Sequence, residues 1–131
     1  MLGVPTRMNC QVIAVKIPDN RTAAVLHVSG GVDLTTLDQL GGAIRRSLTV
    51  ESLACLVVDL KEATHVDSSG IGMLLDAMRS ANRRQVRFVL CGLNGAVHHV
   101  FERTRLNLLF EIRPTFGEAV LDLDGVLISP G

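Results

Sequence analysis

The feature that most constrains the fold is the apolar run from Ala54 to Leu60, near the middle of the 131-residue chain. Its side chains do not alternate between apolar and polar, which is typical of a strand buried on both faces of a sheet. Apolar residues at three- and four-residue spacing, the pattern of a helix with one buried face, occur on both sides of this run. They are Leu34, Leu37, Leu40, Ile44 and Leu48 before it, and Ile71, Leu74, Leu75 and Met78 after it. A buried strand between two such helices predicts an α/β fold.

Strand and helix patterns alternate through the rest of the chain. Two β-rich segments, Gln11 to Ile17 and Ala23 to Val28, are joined by turn residues and predict an antiparallel hairpin, after which Gly30-Gly31 break the chain. The remaining elements are a strand over Val86 to Cys91, a third helix with Val97, Val100 and Phe101, a strand over Leu108 to Ile112, and a fourth helix from about Thr115 to Leu123. The sequence therefore predicts a mixed β-sheet with an N-terminal hairpin and four packed α-helices, the last three strands being parallel.

Composition limits the classes of protein to consider. Nearly half of the residues are hydrophobic, and the length suits one core, so we expect a single domain over 1–131, with its core at about 9–124 and flexible ends at 1–8 and 125–131. The formal net charge is zero, which argues against binding to nucleic acid. We find no signal peptide and no apolar run of membrane-spanning length, so we expect a cytoplasmic protein without membrane segments.

The cysteines do not form a metal-binding pattern. Cys10, Cys55 and Cys91 are far apart, and each lies in or beside a predicted strand, without the close pairs that zinc sites use. We interpret them as small core residues in a reducing compartment, and we expect neither a metal nor a cofactor. A cluster of arginines near the end of the second helix suits a solvated helix C-terminus better than a binding patch. These arginines are Arg79, Arg83, Arg84 and Arg87.

A polar motif, Asp67-Ser68-Ser69-Gly70, lies between the buried strand and the second helix. A serine at a helix start has its hydroxyl near solvent, near free backbone N–H groups and near the positive end of the helix. Asp67 or Ser68 can simply cap the helix. The same environment also suits a serine that accepts a phosphate. The turn Gly30-Gly31-Val32-Asp33 likewise follows a strand and precedes a helix, so we expect it to lie near the motif at the carboxyl ends of the strands.

These segments together resemble the STAS domain in its stand-alone form, the anti-sigma factor antagonist. The resemblance rests on Gly31-Val32-Asp33 with Thr36, on Val57-Val58-Asp59-Leu60, and on Val66-Asp67-Ser68-Ser69-Gly70-Ile71-Gly72, and it extends from about residue 9 to residue 124. It implies a single STAS-like domain that is not an enzyme. Members of this bacterial family bind an anti-sigma factor that is also a serine kinase, and thereby free a sigma factor for transcription. The kinase inactivates them by phosphorylating the first serine of the motif, and a PP2C-type phosphatase restores them.

The resemblance also assigns roles to individual residues. It implies that Ser68 is the phosphoacceptor and that Asp33 lies close to it. The partner-binding surface would comprise Asp33, Thr36, Asp67, Ser69, Gly70, Gly72, Met73 and Asp76. One position departs from the family, because the bulky apolar residue often found two positions before Asp67 is His65 here. We expect this histidine to be half-buried and bonded to backbone rather than to act as a pH sensor.

Other classes fit the sequence less well. An α/β-hydrolase would use a serine on such a turn with His98 or His99 as base, but the chain is short and lacks the glycine two positions before the serine. A receiver domain would use Asp59 as phosphoacceptor, yet it needs an acidic pair after the first strand and a lysine after the last, and the only lysines are Lys16 and Lys61. His98 and His99 have no third metal ligand near them in sequence. The remaining alternative is a STAS interaction module without phosphorylation, as in stressosomes or beside transporters.

Overall fold

The computed structural model describes residues 8–119, which form one five-stranded sheet with the strands in chain order. The elements are β1 (Asn9–Ile17), β2 (Arg21–Val32), α1 (Leu37–Leu48), β3 (Leu53–Val66), α2 (Ser68–Arg83), β4 (Arg87–Cys91), α3 (Gly95–Arg103) and β5 (Glu111–Arg113). β1 is antiparallel to β2, whereas β2, β3, β4 and β5 are mutually parallel. The predicted mixed sheet with an N-terminal hairpin is therefore confirmed.

The turn between β1 and β2 has the backbone conformation that its residue types favour. Asp19 and Asn20 both have positive φ, at 67° and 59°, so the two residues form a left-handed turn. Aspartate and asparagine tolerate this conformation better than most other residues, and it matches the twist of the flanking strands.

The sheet is buried on both faces, as the apolar run predicts. One cluster of buried side chains includes Leu56, Val58 and Leu60 together with residues of α1, α2 and α3. The other includes Cys55 and Val57 of the same strand. Because successive side chains of a strand point to opposite faces, α1, α2 and α3 cover one face of the sheet. A helical turn at residues 116–119 contributes Ala119 to the cluster on the other face.

The main corrections to the sequence-based prediction concern the ends of elements. β2 does not end before Gly30-Gly31 but continues to Val32, because register shifts in its pairing with β3 accommodate the glycines. β5 begins only at Glu111, since residues 106–108 form a 3-10 helix that turns the apolar side chain of Leu108 outward. The predicted fourth helix is present at residues 116–119, and its continuation to Leu123 lies outside the described residues, as do 1–7 and 125–131. Met8, which the prediction places in the flexible N-terminal end, is buried in the core.

The cysteines are free thiols. Cys55 and Cys91 are buried, and burial raises the pKa of each to about 12, so both stay protonated and unreactive. Cys10 is half-buried, and burial raises its pKa as well. The interpretation as core residues is confirmed for Cys55 and Cys91, whereas Cys10 lies at the edge of the core.

The four arginines near the end of α2 have separate partners. Arg79 pairs with Asp76, and Arg83 donates to the Ser80 hydroxyl. Arg84 donates to the Leu48 carbonyl, and Arg87 pairs with Glu111.

Over residues 8–119, no group of three or more histidine, cysteine, aspartate or glutamate side chains is placed to hold a metal ion. None of the helices in this part of the chain is long and apolar enough to cross a membrane.

Candidate functional site

The candidate site begins where β3 ends and α2 begins. Asp67 is the N-cap of α2, and its Oδ1 accepts a hydrogen bond of 3.0 Å from the backbone N–H of Gly70. The capping role that the sequence left open between Asp67 and Ser68 therefore belongs to Asp67. Ser68 is the first helical residue and is exposed, and neither its hydroxyl nor that of Ser69 is hydrogen-bonded within the described part of the chain.

Gly70 allows α2 to start in contact with β2. A Cβ on Gly70 would lie 2.5 Å from Cγ1 of Val32 and 2.8 Å from its carbonyl oxygen, so no side chain fits there without displacing β2. The same carbonyl of Val32 accepts a hydrogen bond of 3.0 Å from the N–H of Asp67. Because Val32 precedes Asp33, this contact brings the turn after β2 beside the start of α2.

Asp33 organises the turn after β2. Its Oδ1 accepts hydrogen bonds from the backbone N–H of Thr35, at 2.9 Å, and from the Thr35 hydroxyl, at 2.6 Å. Thr36 completes a capping box, since its hydroxyl donates to the Gly31 carbonyl at 2.8 Å and accepts from the Asp33 N–H at 3.0 Å. Thr36 is buried, so it shapes the turn and its side chain does not form part of the exposed surface.

His65 contacts the same turn from β3. Its Nε2 lies 2.9 Å from Oδ2 of Asp33, and its side chain is 56 % exposed. The expectation of a half-buried histidine bonded to backbone is therefore wrong. The physical reason is Gly31, because a Cβ there would lie 2.3 Å from Cε1 of His65. Without that atom the imidazole can lie across β2 and reach the carboxylate.

The hydrogen bonds to Asp33 fix its charge. The Thr35 hydroxyl and, next, His65 lower the pKa of Asp33 to about 2, so the carboxylate is ionised at neutral pH. The site therefore combines a fixed negative charge on one turn with an exposed serine hydroxyl at the start of the neighbouring helix. Such a carboxylate can accept charge-assisted hydrogen bonds from an arginine or lysine of a partner.

The first turns of α2 present a flat exposed strip. Ser68, Gly72 and Asp76 are exposed at four-residue spacing, which aligns them on one face of the helix. A Cβ on Gly72 would have no atom within 4 Å, so nothing in the described structure covers that position. Met73 is half-buried, and its Cε approaches α1 at Gly41, so only part of this side chain faces outward.

Sequence reasoning missed Leu34. The apolar spacing places Leu34 on the buried face of the first helix, but this residue is 71 % exposed and begins the 3-10 turn Leu34–Thr36, directly after Asp33. The spacing of Asp33 and Thr36 could have revealed this, because a capping pair three residues apart places the helix start at Leu34. An exposed leucine beside the fixed carboxylate adds an apolar contact to this surface.

The candidate residues of the receiver-domain and hydrolase alternatives have hydrogen-bond or ion-pair partners in other parts of the fold. Asp59 is buried, with Oδ2 2.8 Å from Nδ1 of His27 and Oδ1 accepting from the N–H of Lys61. His98 pairs with Glu102 on α3, at 3.3 Å. His98 and Asp59 thus already have partners outside the Asp33 and Ser68 turns.

The mixed sheet with an N-terminal hairpin, helices α1 to α3 on one face and the exposed serine after the Asp67 cap together define a single domain of the STAS-like type that the motifs indicate. The family model described as STAS domain matches residues 13–119, and the chain belongs to the STAS domain family. A relative, the anti-sigma-B factor antagonist of Listeria monocytogenes, is 31 % identical over 107 residues, covering 81 % of this chain and 93 % of that protein. The resemblance that the motifs indicated is confirmed.

Solved structures support the fold. A crystal structure of an anti-sigma factor antagonist from Mycobacterium paratuberculosis is similar with a TM-score of 0.74 and 24 % identity, over 92 % of this chain and 97 % of that one. The phosphorylated form of the Bacillus cell fate determinant SpoIIAA is similar with a TM-score of 0.65 and 21 % identity, over 88 % and 99 % of the two chains. At these identities the likeness concerns the fold alone.

Proposed function

We propose that this protein is an anti-sigma factor antagonist that phosphorylation of Ser68 switches off. It binds an anti-sigma factor that is also a serine kinase, in the cytoplasm, and so frees a sigma factor for transcription. The kinase phosphorylates Ser68, and a PP2C-type phosphatase removes the phosphate. The observation that most supports this proposal is that Asp67 caps α2, which leaves the Ser68 hydroxyl exposed and unbonded within the described structure.

The relatives support the same role. The Listeria protein is named an anti-sigma-B factor antagonist, and a Paenibacillus polymyxa relative at 25 % identity is named an anti-sigma F factor antagonist. SpoIIAA, which shares the fold, has been described in an unphosphorylated and a phosphorylated form. These names describe regulators that act against an anti-sigma factor.

The switch requires no change of fold. The unmodified surface around Ser68 is small and flat, with Gly72 one turn further along α2 and Asp33 on the neighbouring turn. A phosphate adds between one and two negative charges and three bulky oxygens in the middle of that surface. In the free protein it is solvated and favoured by the N-terminus of α2, whereas under a partner it would be desolvated near the ionised Asp33.

The free-energy cost of burying the phosphate is large enough to release the partner. Moving a partner from almost fully bound to almost fully released takes a difference of about 5 kcal/mol between the two forms. Burying a charge without compensation costs several kcal/mol. One phosphate under the partner therefore reaches the required magnitude.

The decisive experiment compares Ser68 with its neighbour. Ser69 lies on the same first turn and also has an unbonded hydroxyl within residues 8–119, so Ser69→Ala is a matched control. Wild type, Ser68→Ala and Ser69→Ala are incubated with the candidate anti-sigma kinase and ATP, and the modified peptide is identified by mass. We expect phosphate on Ser68 in wild type and in Ser69→Ala, and none on Ser68→Ala.

Two outcomes would change the proposal. Phosphate that persists on Ser68→Ala but disappears from Ser69→Ala would move the acceptor by one residue. Partner binding without phosphate on any variant would leave the interaction module that works without phosphorylation.

A further inference from the structure

A cavity of about 620 Å³ lies where β4 and β5 end, within the size range of small-molecule sites. Its walls include His27 of β2, Asp59 and Glu62 of β3, Leu93 after β4 and Phe116 after β5. His27 and Asp59 alternate along their strands with residues that α1, α2 and α3 cover, so they face the other side of the sheet. The proposed switch uses none of these side chains.

A buried carboxylate makes the His27 imidazole a hydrogen-bond acceptor in this cavity. Oδ2 of Asp59 lies 2.8 Å from Nδ1 of His27, and Oδ1 accepts from the N–H of Lys61 at 3.0 Å. Because a carboxylate only accepts hydrogen bonds, Nδ1 carries the proton, and the other nitrogen of the neutral ring, Nε2, has a free lone pair. Nε2 has no hydrogen-bond partner within residues 8–119. A molecule in the cavity can therefore donate a hydrogen bond to it.

The charges of the lining favour a cation. Asp59 and Glu62 contribute two carboxylates and Lys61 one ammonium, so the lining carries one more negative charge than positive. Asp59 is only 8 % exposed, whereas Lys61 lies on the exposed rim, so water screens the Lys61 ammonium more than the Asp59 carboxylate. Glu62 has no ion-pair partner in the described part of the chain. Its carboxylate is therefore free to attract a positively charged ligand.

Two loops bring an apolar wall beside this polar end of the cavity. Gly92 follows β4 with a φ of +71°, and a Cβ there would lie 2.7 Å from Oδ1 of Asp59. The N–H of Gly92 donates to the Pro114 carbonyl at 3.1 Å, which ties this loop to the segment that contains Phe116. The Phe116 and His27 rings meet edge to face, with 5.4 Å between their centroids. A glycine at position 92 thus lets the loops close over the carboxylate and places a phenyl ring next to the imidazole.

We propose that this cavity binds a small primary ammonium ion with an aromatic or aliphatic body. One N–H of the ammonium donates to Nε2 of His27, and the carboxylates of Asp59 and Glu62 attract its positive charge. Leu93 and Phe116 contact the apolar body. A carboxylate or phosphate ligand is disfavoured, because an anion has no proton to donate to Nε2 and is repelled by both carboxylates.

The test uses the full chain with phenethylammonium as the probe. Phenethyl alcohol keeps the hydrogen-bond donor and the apolar body but has no charge, and the quaternary trimethyl derivative of the probe keeps the charge but has no N–H. NMR titration of the Gly92 and Phe116 amide signals is expected to give a Kd on the order of 1 mM for the primary ammonium. Both analogues should bind about fivefold more weakly or worse, because each lacks one part of the charge-assisted hydrogen bond to Nε2.

Two charge variants should change the affinity in opposite directions. Lys61→Met removes a repulsive charge and should tighten phenethylammonium binding about threefold, whereas Glu62→Gln removes an attractive one and should weaken it about threefold. Lys16→Met and Glu51→Gln are the matched controls, since both residues are exposed and neither lines the cavity, and they should leave the Kd unchanged. A site for anions would reverse both signs.

A further variant tests the apolar wall without disturbing the buried carboxylate. Phe116→Ala should weaken binding of the ammonium about fivefold through lost apolar contact, measured from the Gly92 amide signal. The proposal is overturned if either analogue binds as tightly as phenethylammonium, or if millimolar phenethylammonium shifts neither amide signal of the wild type. It is equally overturned if Lys61→Met and Glu62→Gln both retain the wild-type Kd or change it with the opposite signs.

Discussion

Two aspartate–histidine pairs connect β2 and β3, and they have opposite surroundings. In one, His27 of β2 contacts Asp59 of β3 at 2.8 Å, and in the other, His65 of β3 contacts Asp33, just after β2, at 2.9 Å. The Asp59 side chain is 11 % exposed and the Asp33 side chain 27 %. The chemistry of the two pairs is the same, but Asp59 lies inside the sheet, while Asp33 lies on the surface in the turn beside the start of α2.

This difference in burial predicts different roles for the two pairs, one in the stability of the fold and the other in partner binding. A buried carboxylate is tolerated only when its hydrogen bonds are satisfied, so removing one partner of the Asp59 pair leaves polar atoms unpaired inside the protein. An exposed carboxylate loses less when its partner is removed, because water replaces the hydrogen bond. We therefore expect changes at Asp59 to act on stability and changes around Asp33 to act on partner binding.

The largest effect is expected for Asp59→Ala. It removes the acceptor of both the His27 imidazole and the Lys61 N–H, so we expect the free energy of unfolding to fall by about 3 kcal/mol. Urea denaturation measures this against Asp33→Ala, which should shift the midpoint much less. Equal losses for the two variants would show that the surroundings of the pairs do not matter.

The next effect concerns partner binding and two exposed leucines. Leu34 is 71 % exposed beside Asp33, and Leu108 is 76 % exposed in the 3-10 helix before β5. Leu34→Ala should weaken binding to the anti-sigma factor about tenfold, as expected for an apolar contact within an interface. Leu108→Ala is the control in the same type of local structure and should leave the affinity unchanged. Titration of the anti-sigma factor with each variant measures the two affinities. Equal affinities would mean that Leu34 does not belong to the partner-binding surface.

A smaller effect is expected where Gly31 makes room for His65. Gly31→Ala would place a Cβ 2.3 Å from Cε1 of His65, so the exposed imidazole must rotate away and lose Asp33. We expect a cost of about 1 kcal/mol in the wild-type background and a much smaller one in the His65→Ala background. A double-mutant cycle by urea denaturation measures this coupling. Additive costs would mean that Gly31 serves the backbone of β2 and not the histidine.

Much of this fold could be predicted because its elements repeat apolar residues at regular spacing. The run Ala54 to Leu60 is buried on both faces, as predicted, and the turn residues after Ile17 form the expected hairpin. The motif at Asp67 lies at a helix start because local capping chemistry is encoded locally. Leu108 and Leu34 were misplaced, since periodicity alone does not distinguish a 3-10 turn from the element that it joins.

The side-chain pairs between strands could not be predicted. His27 and Asp59, like Asp33 and His65, are separated by 32 positions, and they meet only through the register of two parallel strands. That register contains several shifts, and each shift changes which residues lie side by side. The need for Gly31 beneath His65 likewise follows from contacts that only the assembled sheet defines.

The smallest expected effect is the pH dependence of the exposed pair. Hydrogen bonds from the Thr35 hydroxyl and from His65 lower the pKa of Asp33 to about 2 in the folded protein, against about 3.9 in the unfolded chain. Because the folded pKa is the lower one, the stabilisation is present above pH ~4 and is lost as the pH falls towards about 2. The melting temperature of wild type should therefore fall slightly more steeply across this window than that of Asp33→Asn, which has no titrating group at this position. Parallel curves for the two proteins would mean that the hydrogen bonds to Asp33 contribute nothing to stability.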